Sequence, residues 1–232
     1  MPGNFGDLLT PWLLRKMGHD PLYRSNSQNG KLFCIGSLLH YVKPGDTVWG
    51  TGAMWSTTRP PADARYCAVR GPRTRRCIIE AGGECPEIYG DPALLASRFY
   101  RPNAPKTHAL GVMPHYIDAG SAEVADYLTA HTAPRTAWPS VLLINPLSAD
   151  VQQTIDQICA CERIISSSLH GLIVAESYGI PWQWHRFGDR LCGDDTKFHD
   201  FFESLNSFDA DALLAAFPHE AHHETADNQL CD

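Results

Sequence analysis

Ile164-Ile165-Ser166-Ser167-Ser168-Leu169-His170-Gly171-Leu172-Ile173-Val174-Ala175-Glu176-Ser177-Tyr178-Gly179-Ile180-Pro181 is the stretch whose reading decides the fold. A β-branched run stops at three serines. A histidine, a glycine and an apolar helical pattern follow, and Gly-Ile-Pro closes it. This is the signature of a buried strand that opens directly onto a helix N-terminus. There the first-turn amides lack intrahelical partners, and the positive end of the helix dipole points outward, so an anion is favoured. Ser166, Ser167, Ser168 and Gly171 are therefore candidate phosphate or carboxylate contacts, with His170 as the candidate acid or base.

Working outward, strand-like runs alternate with helical patterns. Strands are expected at 31–36, 47–50, 65–69, 87–89, 108–113, 141–145, 163–167 and 182–185, with helices at 7–17, 72–81, 122–130, 149–161 and 169–178. Such alternation predicts an α/β protein with largely parallel sheets. Arg101-Pro102-Asn103-Ala104-Pro105-Lys106 resists both helix and central strand, so the chain is expected to divide there. The expected plan is an N-terminal Rossmann-like lobe over 1–104, a second over 105–217, and a polar, frayed tail over 218–232. His219, His222 and His223 of that tail are expected to be solvated rather than metal ligands.

The 44% hydrophobic content suffices for a sizeable core, and a net charge of −7 with no basic block argues against a nucleic-acid partner. Eight cysteines form no CxxC pair and lie within apolar runs, which predicts reduced, packed thiols. No run reaches the roughly 18 apolar residues that span a bilayer, and no signal-peptide pattern opens the chain. A soluble, cytoplasmic protein is expected. No HxH, HExxH or paired-carboxylate pattern calls for a metal.

Parallel sheets bind ligands at the carboxyl ends of their strands. The residues expected there include Ser37, Gly52, Arg70 and His115. Small residues let a ligand approach the backbone, while Arg70, His115 and His170 supply charge and protons. Arg70 either binds an anion or pairs with a carboxylate, and His115 either serves the site or finishes a strand. Asn4-Phe5-Gly6-Asp7 precedes the first helical pattern. Asp7 is its expected N-cap, and Asn4 and Gly6 would form a tight turn near the ligand.

Taken together, these segments resemble the polysaccharide pyruvyl transferases, in their bacterial exopolysaccharide and capsule branch. The resemblance rests on Asn4–Asp7, Val48–Gly52, Ala68–Thr74, Tyr89–Leu95, Gly111–Tyr116, the Ser166–Gly171 turn and Lys197–Phe202, which run in family order. It implies two Rossmann-like lobes in a GT-B-like arrangement with a ligand cleft between them. It also implies phosphoenolpyruvate as donor substrate, no cofactor, and a glycan acceptor, free or lipid-linked. The product would be a pyruvate ketal on a cell-surface polysaccharide or its precursor, and a lipid-linked acceptor would bring the protein to the inner face of the membrane. The residues matching Arg70 and His170 are those the family associates with donor binding and catalysis. Where some members carry an arginine two positions before the histidine, this chain has Ser168. Only Met1-Pro2-Gly3 precede Asn4, so the strand that the family plan places before this motif is expected to be missing. The alternatives are a nucleotide-sugar glycosyltransferase on the same plan and a non-catalytic member of a polysaccharide assembly complex.

Overall fold

The structure, a computed structural model, describes residues 4–24, 30–103, 105–131, 141–219 and 224–226. In chain order the first half forms α1 (Phe5–Lys16), β1 (Leu22–Arg24), β2 (Leu32–Phe33), β3 (Thr47–Trp49), β4 (Arg65–Ala68), α2 (Pro72–Glu80) and α3 (Ala96–Phe99). The second half forms β5 (Leu110–Met113), α4 (Ala122–His131), β6 (Val141–Leu143), α5 (Val151–Cys159), β7 (Ile164–Ser166), α6 (Leu169–Ser177) and β8 (Trp182–Trp184). It ends with α7 (Thr196–Ser204), α8 (Ala210–Ala215) and β9 (Glu224–Ala226). Every strand pairing among the described residues is parallel, as the alternation of strand and helix predicts.

The chain forms two compact units, both discontinuous in sequence: residues 1–8 with 96–191, and residues 9–95 with 192–232. These differ from the expected cuts at 104 and 217. The segment after Leu191 groups with the N-terminal half because α7 packs on α2 there. The unit containing Arg70 has a five-stranded sheet in the order β1-β9-β2-β3-β4. Its apolar core includes Phe33, Leu39, Val48, Val69 and Ile78. The unit containing His170 has a four-stranded sheet in the order β6-β5-β7-β8, with Leu110, Val112, Val124, Ile165 and Phe187 packed together.

Several expectations needed correction. Residues 87–89 form a single bridge, Val69 with Tyr89, rather than a strand. Glu224–Ala226, read as frayed tail, pairs with β1 and β2 as β9. The helices α7 and α8 were not anticipated. The α7 cap lies in Gly193-Asp194-Asp195, where Asp195 takes the left-handed conformation at φ 63°. His222 and His223 lie outside the described residues. No helix among the described residues is long and apolar enough to cross a membrane.

Candidate active site

The Ser166–Gly171 turn is built as the sequence suggests: β7 ends at Ser166 and α6 begins at Leu169. Ser168 is the N-cap, in an extended conformation, with no side-chain cap hydrogen bond. The other two serines are occupied internally. Ser166 Oγ donates to Met113 O at 2.6 Å and accepts from Ser168 N at 2.9 Å, which ties the ends of β5 and β7 together. Ser167 Oγ donates to Asp118 Oδ2 at 3.1 Å and accepts from His115 N at 2.8 Å. Both serines are fully buried, so their geometry fits holding the strand end rather than meeting a ligand. Ser168 and His170 are half-buried. Gly171 is required by packing, since a Cβ there would come within 2.6 Å of Ser166 Oγ.

The N-terminal turn meets this point. A Cβ at Gly6 would overlap the imidazole of His170, so only glycine lets α1 begin against that ring. The turn's capping reverses the expected roles. Asn4, not Asp7, is the cap: Asp7 N donates to Asn4 Oδ1 at 3.2 Å while Asn4 N donates to Asp7 Oδ2 at 3.0 Å. This reciprocal pair is a capping box built from Asn and Asp. Phe5 N donates to Pro146 O at 2.8 Å and anchors the turn beyond β6.

His115 stands half-buried after β5, its ring against Tyr116 and its amide on Ser167. Two residues that sequence reasoning missed complete this edge. Asp118, fully buried, accepts the Ser167 hydroxyl. Arg190, half exposed, places its guanidinium 3.6 Å from Asp118 Oδ1 and 3.7 Å from Glu123 Oε2. Neither lies in a motif. Asp118 follows β5 by five residues, and the return of the chain after β8 brings Arg190 to it.

Arg70 is the main correction. It lies two residues beyond the carboxyl end of β4, but its guanidinium is fully buried in its own unit. Nε donates to Asp200 Oδ2 at 3.0 Å, Nη1 to Ser37 Oγ at 2.7 Å and Nη2 to Ala53 O at 2.6 Å. Of the two readings left open for it, pairing with a carboxylate is the observed one. Asp200 also accepts from Thr74 N at 2.9 Å and Thr74 Oγ1 at 2.6 Å. Ser37 and Gly52 belong to this enclosed cluster. Gly52 is glycine because any Cβ would overlap the guanidinium. Nearby, burial pushes the Asp91 carboxyl up to about 7, against opposing hydrogen bonds from the amides of Ala93 and Gly36 and the charge of Arg70. The signal for Asp200 was present in Lys197–Phe202, a segment to which no role had been attached.

The fold is mixed α/β with two parallel sheets, and a half-buried imidazole stands at the strand-to-helix turn of one of them. A sequence model of the polysaccharide pyruvyl transferase family matches residues 61–182, just over half of the 232. The chain belongs to that family. The matched range holds Arg70, His115 and the Ser166–Gly171 turn but not Asn4–Asp7, Ser37 or Gly52. An uncharacterized protein of Acanthamoeba polyphaga mimivirus is 31% identical over 172 residues, which are 72% of this chain and 57% of that relative. No solved structure matches.

Proposed function

We propose that the protein transfers the pyruvate unit of phosphoenolpyruvate to a sugar of a cell-surface polysaccharide, or of its lipid-linked precursor, and closes a pyruvate ketal. Family membership supports transfer chemistry. The observation that favours this site is the His170 imidazole, half-buried at the first turn of α6 and held against Gly6. The enclosed Arg70 directs attention to other cations. We assign the donor's carboxylate and phosphate to the α6 amides and to Arg190, whose ion pairs at 3.6 and 3.7 Å are too long to be hydrogen bonds. A proton reaches the donor's methylene carbon, making it a methyl group and giving the adjacent carbon oxocarbenium character. One sugar hydroxyl adds there. Phosphate then leaves, and a second hydroxyl of the same sugar closes the ring. Of the two hydroxyl protons, one balances the new methyl group and the other leaves with phosphate. His170 is the group proposed to move them.

The deciding experiment is incubation with phosphoenolpyruvate and a panel of lipid-linked and synthetic glycans. Phosphate release matched by a gain of one pyruvate ketal on a glycan is expected. Phosphate released without that gain, or stabilisation by a nucleotide diphosphate instead of phosphoenolpyruvate, would overturn the assignment. Arg190→Gln should raise KM for phosphoenolpyruvate about tenfold, with Arg190→Lys intermediate, because a point ammonium lacks the bidentate fork.

A further inference from the structure

The unit that contains His170 has a second concavity that the transfer reaction does not use. It is an open groove of about 490 Å3 lined by Ser97, Arg101, Pro102, Lys106, Tyr178 and Ile180, with Cys159 and Ser177 completing the wall. Its volume is in the range that holds small-molecule ligands. It sits at the carboxyl end of α6, whereas His170 is in the first turn. Nine helical residues separate the two ends by about 13 Å. It is therefore a distinct site.

Charge and hydrogen bonding define what it would take. Arg101 is exposed and pairs with no carboxylate among the described residues. Lys106, which also lines the groove, donates from Nζ to Cys161 O and is thereby fixed at the rim. The ends of α5 and α6 at Cys159 and Ser177 oppose these cations. Each helix end is worth about half a negative charge, so two full positive charges leave the rim net positive by about one. The nearest acid on α5, Asp156, does not line the groove and accepts the Tyr100 hydroxyl at 2.8 Å. Burial pushes the Cys159 thiol up to about 11, so it lines the wall as a neutral group. Ser97 Oγ accepts from Ser177 Oγ at 3.2 Å, which leaves its own proton for a ligand oxygen. Tyr178 is held by its hydroxyl on Tyr100 O at 2.8 Å and presents a fixed ring. Pro102 and Ile180 add apolar surface.

We propose that this groove binds a small amphipathic anion. Its phosphate or carboxylate would lie on Arg101, Lys106 and the Ser97 hydroxyl, and its ring or apolar body against Pro102, Ile180 and Tyr178. The proposal stands independently of the transfer reaction. The test is calorimetric titration of the full chain with phenyl phosphate, which combines a dianion with a flat apolar body, and with phenol as the uncharged control. The wild type and His170→Ala should bind phenyl phosphate alike and phenol at least tenfold more weakly. Arg101→Glu should weaken phenyl phosphate at least tenfold, and Ser97→Trp, which fills the space, should abolish it. Retention of full affinity in both Arg101→Glu and Ser97→Trp, its complete loss in His170→Ala, or no binding to the wild type would overturn the assignment.

Discussion

The edges around Arg70 and around His170 share one local grammar. In each, a parallel strand gives way to an ionisable side chain at a helix start: Arg70 precedes α2 by two residues, and His170 is the second residue of α6. Yet Arg70 is fully buried and spent on Asp200, Ser37 and Ala53, whereas His170 is half-buried against a glycine. The difference comes from what the rest of the chain delivers to each edge. At Arg70, α7 brings a carboxylate from 130 residues away, so the charge is neutralised inside. At His170, the N-terminal turn brings no side chain at Gly6, so the ring keeps its space. A motif at a strand end thus names a possible site, and the long-range partner decides whether its ionisable group is enclosed or left half-buried.

The contrast can be broken most sharply at Asp200. Asp200→Ala would strand a buried guanidinium, and removing one partner of a buried ion pair typically costs about 3–5 kcal/mol. A urea denaturation midpoint close to wild type would show that Arg70 is not held as described. His170→Ala should do the opposite. Turnover should fall by about 100- to 10,000-fold, the range for a lost general acid or base, with the denaturation midpoint little changed. Full turnover in that variant would end the proposed role. Gly6→Ala tests the same edge from the other side. Its methyl group must displace the imidazole, and a displacement on the order of 1 Å can cost about 100-fold in rate, so kcat should drop while circular dichroism stays native.

A further prediction concerns pH. Asp91 is buried with its carboxyl raised to about 7 from a usual value near 3.8. A carboxyl raised in the folded state favours folding while it holds its proton. That contribution is complete below about pH 4 and is lost as pH rises toward about 7. One proton gives a slope of at most ~1.4 kcal/mol per pH unit. Asp91→Asn should flatten this part of the stability curve. An unchanged slope would mean that the native carboxylate is ionised throughout.

Much of this was legible in the sequence because it is local. The strand-helix alternation, the α2 and α6 starts and the Ser-Ser-Ser-Leu-His-Gly turn follow from periodicity and backbone chemistry. What was missed is non-local. The enclosure of Arg70 depends on Asp200, and the occupation of Ser167 depends on Asp118, 49 residues earlier. The reversed cap at α1 is a smaller case: Asn4 and Asp7 are both good cap residues, and only the start of the helix at Phe5 tells them apart. The division of the chain was misjudged for the same reason as Arg70. Pro102 and Pro105 mark a break in regular structure, but α7 returns to α2 regardless of that break.

The 130-residue separation of Arg70 from Asp200 also has a meaning on the ribosome. At roughly 5–20 residues per second, the carboxylate is polymerised on the order of ten seconds after the guanidinium. Throughout that interval, a nascent β4 cannot bury its terminal charge without its ion-pair partner. Docking of α7 therefore completes the enclosure of Arg70, and β9, translated later still, completes the sheet, which makes maturation of this half a late event for strands translated early.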